Sequence, residues 1–172
     1  MSAIKINDLV DDLKRIGLTL KVNVAYSCDK DENNFAIALW NELNVYNIKV
    51  SLTKNYYENV DIILTNPLNN KNVYIEFKQR NKSYENYNSY MIGYKKLLGI
   101  EQKKLVPCLL VWSFGINATY FIKYEKDFIT KYKNGICNTN YNSASVVYID
   151  KKDCLSGFNE LISKIKELLL VP

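Results

Sequence analysis

Histidine is absent from all 172 residues. That removes the commonest general base, the Ser-His and Cys-His nucleophile pairs, and histidine-ligated zinc. Chemistry has to come from carboxylates, lysine, tyrosine or a bound metal. The four cysteines, at 28, 108, 137 and 154, contain no Cys-x-x-Cys pair. Spacing therefore brings no two thiolates onto one centre, and reduced, non-metallated thiols are expected. Cys108 lies in an apolar run and reads as a small core residue. Apolar runs such as Leu109 to Trp112 and Leu168 to Val171 are far too short to span a bilayer. The opening MSAIKINDLVDDLKR lacks the extended apolar segment of a secretory signal. An intracellular protein, in the cytoplasm or the nucleus or nucleoid, with no membrane partner is expected. No Gly-rich phosphate loop supports an enzyme acting on a small substrate.

What is present is ordinary globular composition, with 48% apolar and 24% charged residues, enough to fill one core in a single domain. The net charge of +5 is compatible with a polyanionic partner.

Periodicity divides the chain. Leu9, Val10, Leu13 and Ile16 recur at helical spacing over 5–16, and 18–26 alternates as a strand. Phe35, Ala36, Leu39, Leu43 and Tyr46 form one stripe of a helix over 30–46. Strands are expected at 47–53, 60–65 and 72–79, the last two joined as a hairpin by the turn residues of TNPLNNKN (65–72). A helix is expected over 84–103, where Tyr84, Tyr87, Met91, Tyr94 and Leu98 share a stripe that reads as its sheet-facing side; stacking of bases is the other reading of its tyrosines. Strands at 105–114 and 118–124 follow. The Asn-rich segment 131–145, with Lys131 and Lys133, reads as a loop. A short strand (146–149) and an amphipathic helix (156–170) close the chain. Strands mixed with helices around one sheet make an α/β (α+β) layered domain.

Strand 72–79 carries the chemistry. Val73, Ile75 and Phe77 alternate with Tyr74, Glu76 and Lys78, so Glu76 and Lys78 share a face about 6.7 Å apart. Asp61 opens the neighbouring hairpin strand. Two carboxylates and an ammonium would then converge at one end of the sheet. Carboxylates can hold one or two Mg²⁺ ions, with the Phe77 carbonyl as a further oxygen. An ammonium can orient the attacking water or neutralise developing charge on a phosphate. Acid-x-Lys recurs at Asp12-Leu-Lys14, Glu101-Gln-Lys103 and Asp150-Lys-Lys152, in helical or polar contexts. Only Glu76-Phe-Lys78 interrupts a β-rich run. The alternative reading of that pair is an outward-facing Glu/Lys pair on a solvated edge strand.

This arrangement resembles the PD-(D/E)XK nuclease superfamily, on Asp61 in NVDIIL and Glu76-Phe77-Lys78 in VYIEFKQ. The order helix (30–46), three strands, helix (84–103), strand (105–114) matches that family's common core, over roughly 30–124. The resemblance implies a restriction-endonuclease-like fold, a central mixed sheet flanked by helices, with an N-terminal helix-strand and a C-terminal helix added. It implies that Asp61 and Glu76 bind Mg²⁺ or Mn²⁺ and that Lys78 assists the attacking water. It also implies phosphodiester hydrolysis, in DNA first and RNA as a variant. Asn59-Val60 stands where a proline often precedes the first acid. Glu32, an acid on the apolar stripe of the first helix, is a candidate further metal ligand; favourable placement in a helix's first turn is its other reading. Arg80 and Lys82, continuing the Glu76 face, and Lys95 and Lys96, off the tyrosine stripe, are candidate phosphate contacts. The competing function is a non-catalytic nucleic-acid-binding or interaction protein on the same scaffold. Cutting two strands often needs two sites, so a homodimer is expected.

Overall fold

The apolar alternation of the 49–79 region and the stripes of two helices meet in one layered arrangement. The structure, a computed structural model, describes residues 18–19, 27–53, 59–115, 117–138 and 143–171. The helix expected at 5–16 and most of the strand expected at 18–26 lie outside them. Strands β1 (Leu18–Thr19), β2 (Lys49–Leu52), β3 (Ile62–Asn66) and β4 (Lys71–Gln79) are joined by β6 (Cys108–Ser113), β7 (Thr119–Lys123) and β10 (Leu155–Ser156). They form a seven-stranded sheet in the order β1-β2-β3-β4-β6-β7-β10. The sheet is mixed: β1 runs parallel to β2 and β4 parallel to β6, and the other neighbours are antiparallel. The expected β3–β4 hairpin is present, with Ile62 opposite Ile75 and Asn66 opposite Lys71.

Each face of this sheet buries its own core. On one side, α1 (Ser27–Leu43) contributes Phe35, Ala36, Leu39 and Leu43, as its stripe predicts, and α4 (Phe158–Leu170) contributes Leu161, Ile162, Ile165 and Leu169. On the other side, β5 (Ser89–Gly93), β9 (Ser143–Asp150) and β8 (Lys133–Asn138) form a separate three-stranded antiparallel sheet. With α2 (Tyr94–Gln102) and the short α3 (Phe128–Lys131), it covers Leu110, Trp112 and Phe114. The fold is thus a central mixed sheet flanked by helices, the layered α/β arrangement that the pattern of strands and helices predicts. Among the described residues no helix is long and apolar enough to cross a membrane.

Two expectations fail here. The helix predicted over 84–103 exists only from Tyr94. Residues 82–84 make one 3₁₀ turn, and 89–93 form β5 with Tyr90 and Ile92 buried at a period of two. The partner strand decides this: β5 pairs along its whole length with β9, whose Val147 and Ile149 lie in the same core. Tyr84 and Tyr87 are therefore not sheet-facing but 46% and 56% exposed. The loop predicted at 131–145 is instead largely the β8–β9 hairpin, which pairs Lys133 with Tyr148 and Asn138 with Ser143. Its polar composition reflects solvated strand faces, which impose no apolar alternation.

One glycine fixes how α2 meets the sheet. A Cβ on Gly99 would stand 2.1 Å from Asn59 Cγ, so the Asn59 side chain occupies the space that a larger residue would need. Asn59 leads directly into Val60 and Asp61. Gly99→Ala is expected to lower stability by about 1 kcal/mol: overpacking costs about 1–3 kcal/mol, and alanine's helix preference returns roughly 1. Urea unfolding checks this, and Asn59→Ala in the same background should restore the loss.

Candidate active site

Backbone direction determines which groups β4 presents where. Tyr74 N–H donates to the Pro107 carbonyl and Arg80 N–H to the Ser113 carbonyl, so even-numbered residues bond toward β6. Odd-numbered residues bond toward β3, where the Ile75 carbonyl accepts from Asp61 N–H at 2.8 Å. The β3 ladder ends at Ile62 opposite Ile75. Phe77 therefore directs its N–H and carbonyl to an edge that β3 no longer lines. Its ring is stacked on Phe35 of α1, centroids 4.2 Å apart, which pins this stretch of backbone to the opposite core.

Asp61 reaches that edge through a bulge. Both Asp61 and Ile62 stand opposite Ile75, two residues against one. Strict alternation breaks there: Ile62 lies in the first core and Val60 in the second. The displaced Asp61 side chain turns back, and its Oδ2 accepts a hydrogen bond from Phe77 N–H at 2.8 Å.

Glu76 is completely buried and Asp61 nearly so. Two ammonium groups hold both carboxylates. Lys78 Nζ lies 2.5 Å from Glu76 Oε1 and 3.9 Å from Asp61 Oδ2. Lys96 Nζ lies 3.0 Å from Glu76 Oε2 and 3.7 Å from Asp61 Oδ1. Since Lys78 touches both acids, Asp61 Oδ2 and Glu76 Oε1 can be no farther apart than those two contacts laid end to end, about 6.4 Å. The convergence expected of Asp61, Glu76 and Lys78 is present. The solvated edge-strand alternative does not describe a carboxylate buried on a central strand.

Burial raises the Glu76 carboxyl from 4.5 to about 7, the Lys78 charge opposing the shift and Asp61 adding to it. Burial pulls Lys78 down, but the attraction of Glu76 and Asp61 outweighs it and its pKa ends above the usual lysine value. Lys78 thus keeps its proton at neutral pH.

The cluster has a cation-holding character. Ammonium groups already bridge its two carboxylates, and Glu76 Oε1, fully enclosed, lacks a hydrogen-bond donor in good line despite its close Lys78 contact. All its donors are hard oxygens, the class that Mg²⁺ and Mn²⁺ take. Among the described residues no group of three or more His, Cys, Asp or Glu is arranged to hold a metal. Glu32, the candidate further ligand, stands outside any such group. It lines a pocket of about 520 Å³ with Asp31, Phe77, Lys78, Gln79 and Arg80.

Of the other expected cations, Lys82 and Lys95 are exposed, and Arg80 is half-buried beside Lys78 in that pocket. Lys96, expected only as a phosphate contact, instead pairs with both acids. Its signal was hidden by the misplaced helix start. With α2 beginning at Tyr94, Lys96 directly precedes the buried Leu97 and flanks the face that packs on the sheet. Cys108, Cys137 and Cys154 are free thiols, Cys108 buried as expected.

No protein-family model and no curated sequence matches the chain. Among solved structures, the chain is similar to Hjc, a Holliday junction resolvase from the archaeal hyperthermophile Archaeoglobus fulgidus. That likeness has a TM-score of 0.45 at 12% identity and covers 77% of this chain and 96% of the other.

A buried acid with a raised pKa has a defined signature. Below about pH 4.5 both folded and unfolded chains carry the Glu76 proton; between there and about pH 7 only the folded chain does. Stability from this group therefore falls as pH rises through that window, by about 3 kcal/mol in all. In EDTA, the unfolding free energy of the wild type minus that of Glu76→Gln should decline across pH 4.5–7 and level off above it. A flat difference in denaturant titrations would contradict the burial argument.

Proposed function

We propose that the chain is a divalent-metal-dependent endonuclease that hydrolyses phosphodiester bonds, in DNA first. The observation that carries this reading is the pairing of two enclosed carboxylates, Asp61 and Glu76, with the Lys78 ammonium beside an open pocket that also contains Arg80. A structural ion pair has no need of two acids at the bulged end of a strand ladder. A site for phosphate chemistry does.

In this reading Asp61 and Glu76 would hold Mg²⁺ or Mn²⁺, with the Phe77 carbonyl, on the edge beyond the β3 ladder, as a further oxygen. What such a cation supplies when bound is charge stabilisation at the phosphate and a lowered pKa for the attacking water. The protein's own groups do the rest. Lys78, protonated at neutral pH, is a fixed positive charge rather than a base, and stabilises the negative charge that builds on the phosphoryl oxygens. Phe77 N–H, by holding Asp61 Oδ2, orients the other Asp61 oxygen toward Lys96. Lys96 limits the repulsion between the two carboxylates before substrate arrives. Arg80 grips a neighbouring phosphate, and the exposed Lys82 and Lys95 extend the attraction for the polyanion. Water attacks phosphorus and releases a proton to solvent, the opposite P–O bond breaks, and the departing oxygen takes up a proton from solvent. A homodimer would supply one such site per strand.

The second reading is a nucleic-acid-binding domain that does not cut. On its side stands the fact that Lys78 and Lys96 already neutralise both acids, so the cluster is stable without metal. Cleavage separates the two. Supercoiled plasmid, branched DNA and RNA are each incubated with Mg²⁺, Mn²⁺ or EDTA. Metal-dependent nicking is expected, lowered about 10²–10³-fold by Asp61→Asn, Glu76→Gln or Lys78→Ala. Binding without cutting under every metal would favour the second reading.

A further inference from the structure

A second pocket, of about 420 Å³, opens next to the first and shares Arg80 with it. Its walls are aromatic: Tyr84, Tyr87 and Tyr148 surround a floor of Tyr90, Trp112 and Phe114. The floor is rigid. Trp112 Nε1 donates to the Met91 carbonyl at 3.1 Å, Tyr90 OH donates to the Glu85 carbonyl at 3.0 Å, and Tyr90 packs against both Trp112 and Phe114. Tyr148 crosses Gly135 so closely that a Cβ there would come within 2.7 Å of its ring. The outer wall is different. Tyr84 and Tyr87 meet edge to face, centroids 5.2 Å apart, and leave about half of their surfaces to solvent. Solvent-facing rings above a buried aromatic floor offer more stacking surface than this chain uses itself.

Position selects the occupant. Arg80, among the described residues the only charged one lining this pocket, sits two residues beyond Lys78, about 6.7 Å along the strand direction. About two nucleotides of stacked strand, at 3.4 Å each, cover that distance. A phosphate at Arg80 would therefore carry its base toward the tyrosines while a phosphate nearby on the same strand stands beside Lys78. Bases inside a duplex are stacked on each other and cannot enter such a pocket. A base that is unpaired, at a single-stranded arm, a gap or a branch, can.

We propose that this pocket binds an unpaired nucleobase adjacent to the scissile phosphate, stacked by Tyr84 and Tyr87 and anchored by Arg80 on its phosphate. The inference rests on the nuclease reading and names its substrate class: strands with unpaired nucleotides, without base-sequence preference, because every base has a face to stack.

The test measures binding in Ca²⁺ or EDTA, separately from cleavage. Fluorescein-labelled oligonucleotides are titrated with the full chain as duplex, as single strand and as a duplex with a flanking single-stranded arm. A 2-aminopurine at the arm's first unpaired position reports stacking. The armed substrate should bind at least tenfold more tightly than the duplex and quench the 2-aminopurine. Tyr84→Ala with Tyr87→Ala should remove that preference and the quenching and leave duplex affinity within twofold, whereas the paired Phe substitutions should retain both. Both tyrosines are exposed, and circular dichroism verifies that the variants fold. Equal affinity for duplex and armed DNA, or a preference that survives the alanine pair, would overturn the pocket assignment even if plasmid is still nicked. Failure to bind any nucleic acid would overturn it together with the nuclease reading.

Discussion

A carboxylate without solvent exposure on a central strand sets the terms for everything around it. Moving an ion of that kind out of water costs several kcal/mol unless partners offset it. Glu76 meets this constraint with two ammonium groups from different elements, Lys78 two residues along β4 and Lys96 on α2. The requirement for Lys96 fixes where α2 lies over the sheet, and the Gly99–Asn59 contact fixes how near it comes. The same approach brings in Asp61, which shares both lysines. Removing one partner would leave a charge stranded in low dielectric, so the four groups stand or fall together.

The sheet contributes what side chains alone cannot. Parallel pairing of β4 with β6 orients one set of β4 backbone groups inward, and the early end of β3 releases the other set near Phe77. Ending a ladder inside a sheet normally leaves polar groups without partners. Here the Asp61 side chain takes the Phe77 N–H in place of a strand. The bulge at Asp61 thus satisfies the backbone and aims a carboxylate with the same residue.

Much of this was legible in the chain itself. The alternation of Val73, Ile75 and Phe77 against Tyr74, Glu76 and Lys78 defined the face, and turn residues at 65–72 defined the hairpin. Local patterns failed where the decision was made far away. Tyr84, Tyr87 and Met91 imitate a helical stripe, yet β9, some fifty residues later, draws 89–93 into a strand. The polar β8–β9 hairpin left no alternation to detect. Lys96 reads as a cation in the sequence but not as a partner of Glu76, because its register depends on a helix start that long-range pairing sets. Glu32, marked by its place on the apolar stripe, lines the same pocket as Lys78 and Arg80, outside any three-acid group among the described residues.

In the proposed metal-dependent chemistry, a cation held by Asp61 and Glu76 would require Glu76 to give up a proton. Calorimetric titration of the protein with Mn²⁺ between pH 5.5 and 8 addresses it without substrate. Saturable binding is expected that weakens about tenfold per pH unit below pH 7 and levels off above it, and that Glu76→Gln abolishes. Absence of saturable binding, or affinity indifferent to both pH and Glu76, would contradict it.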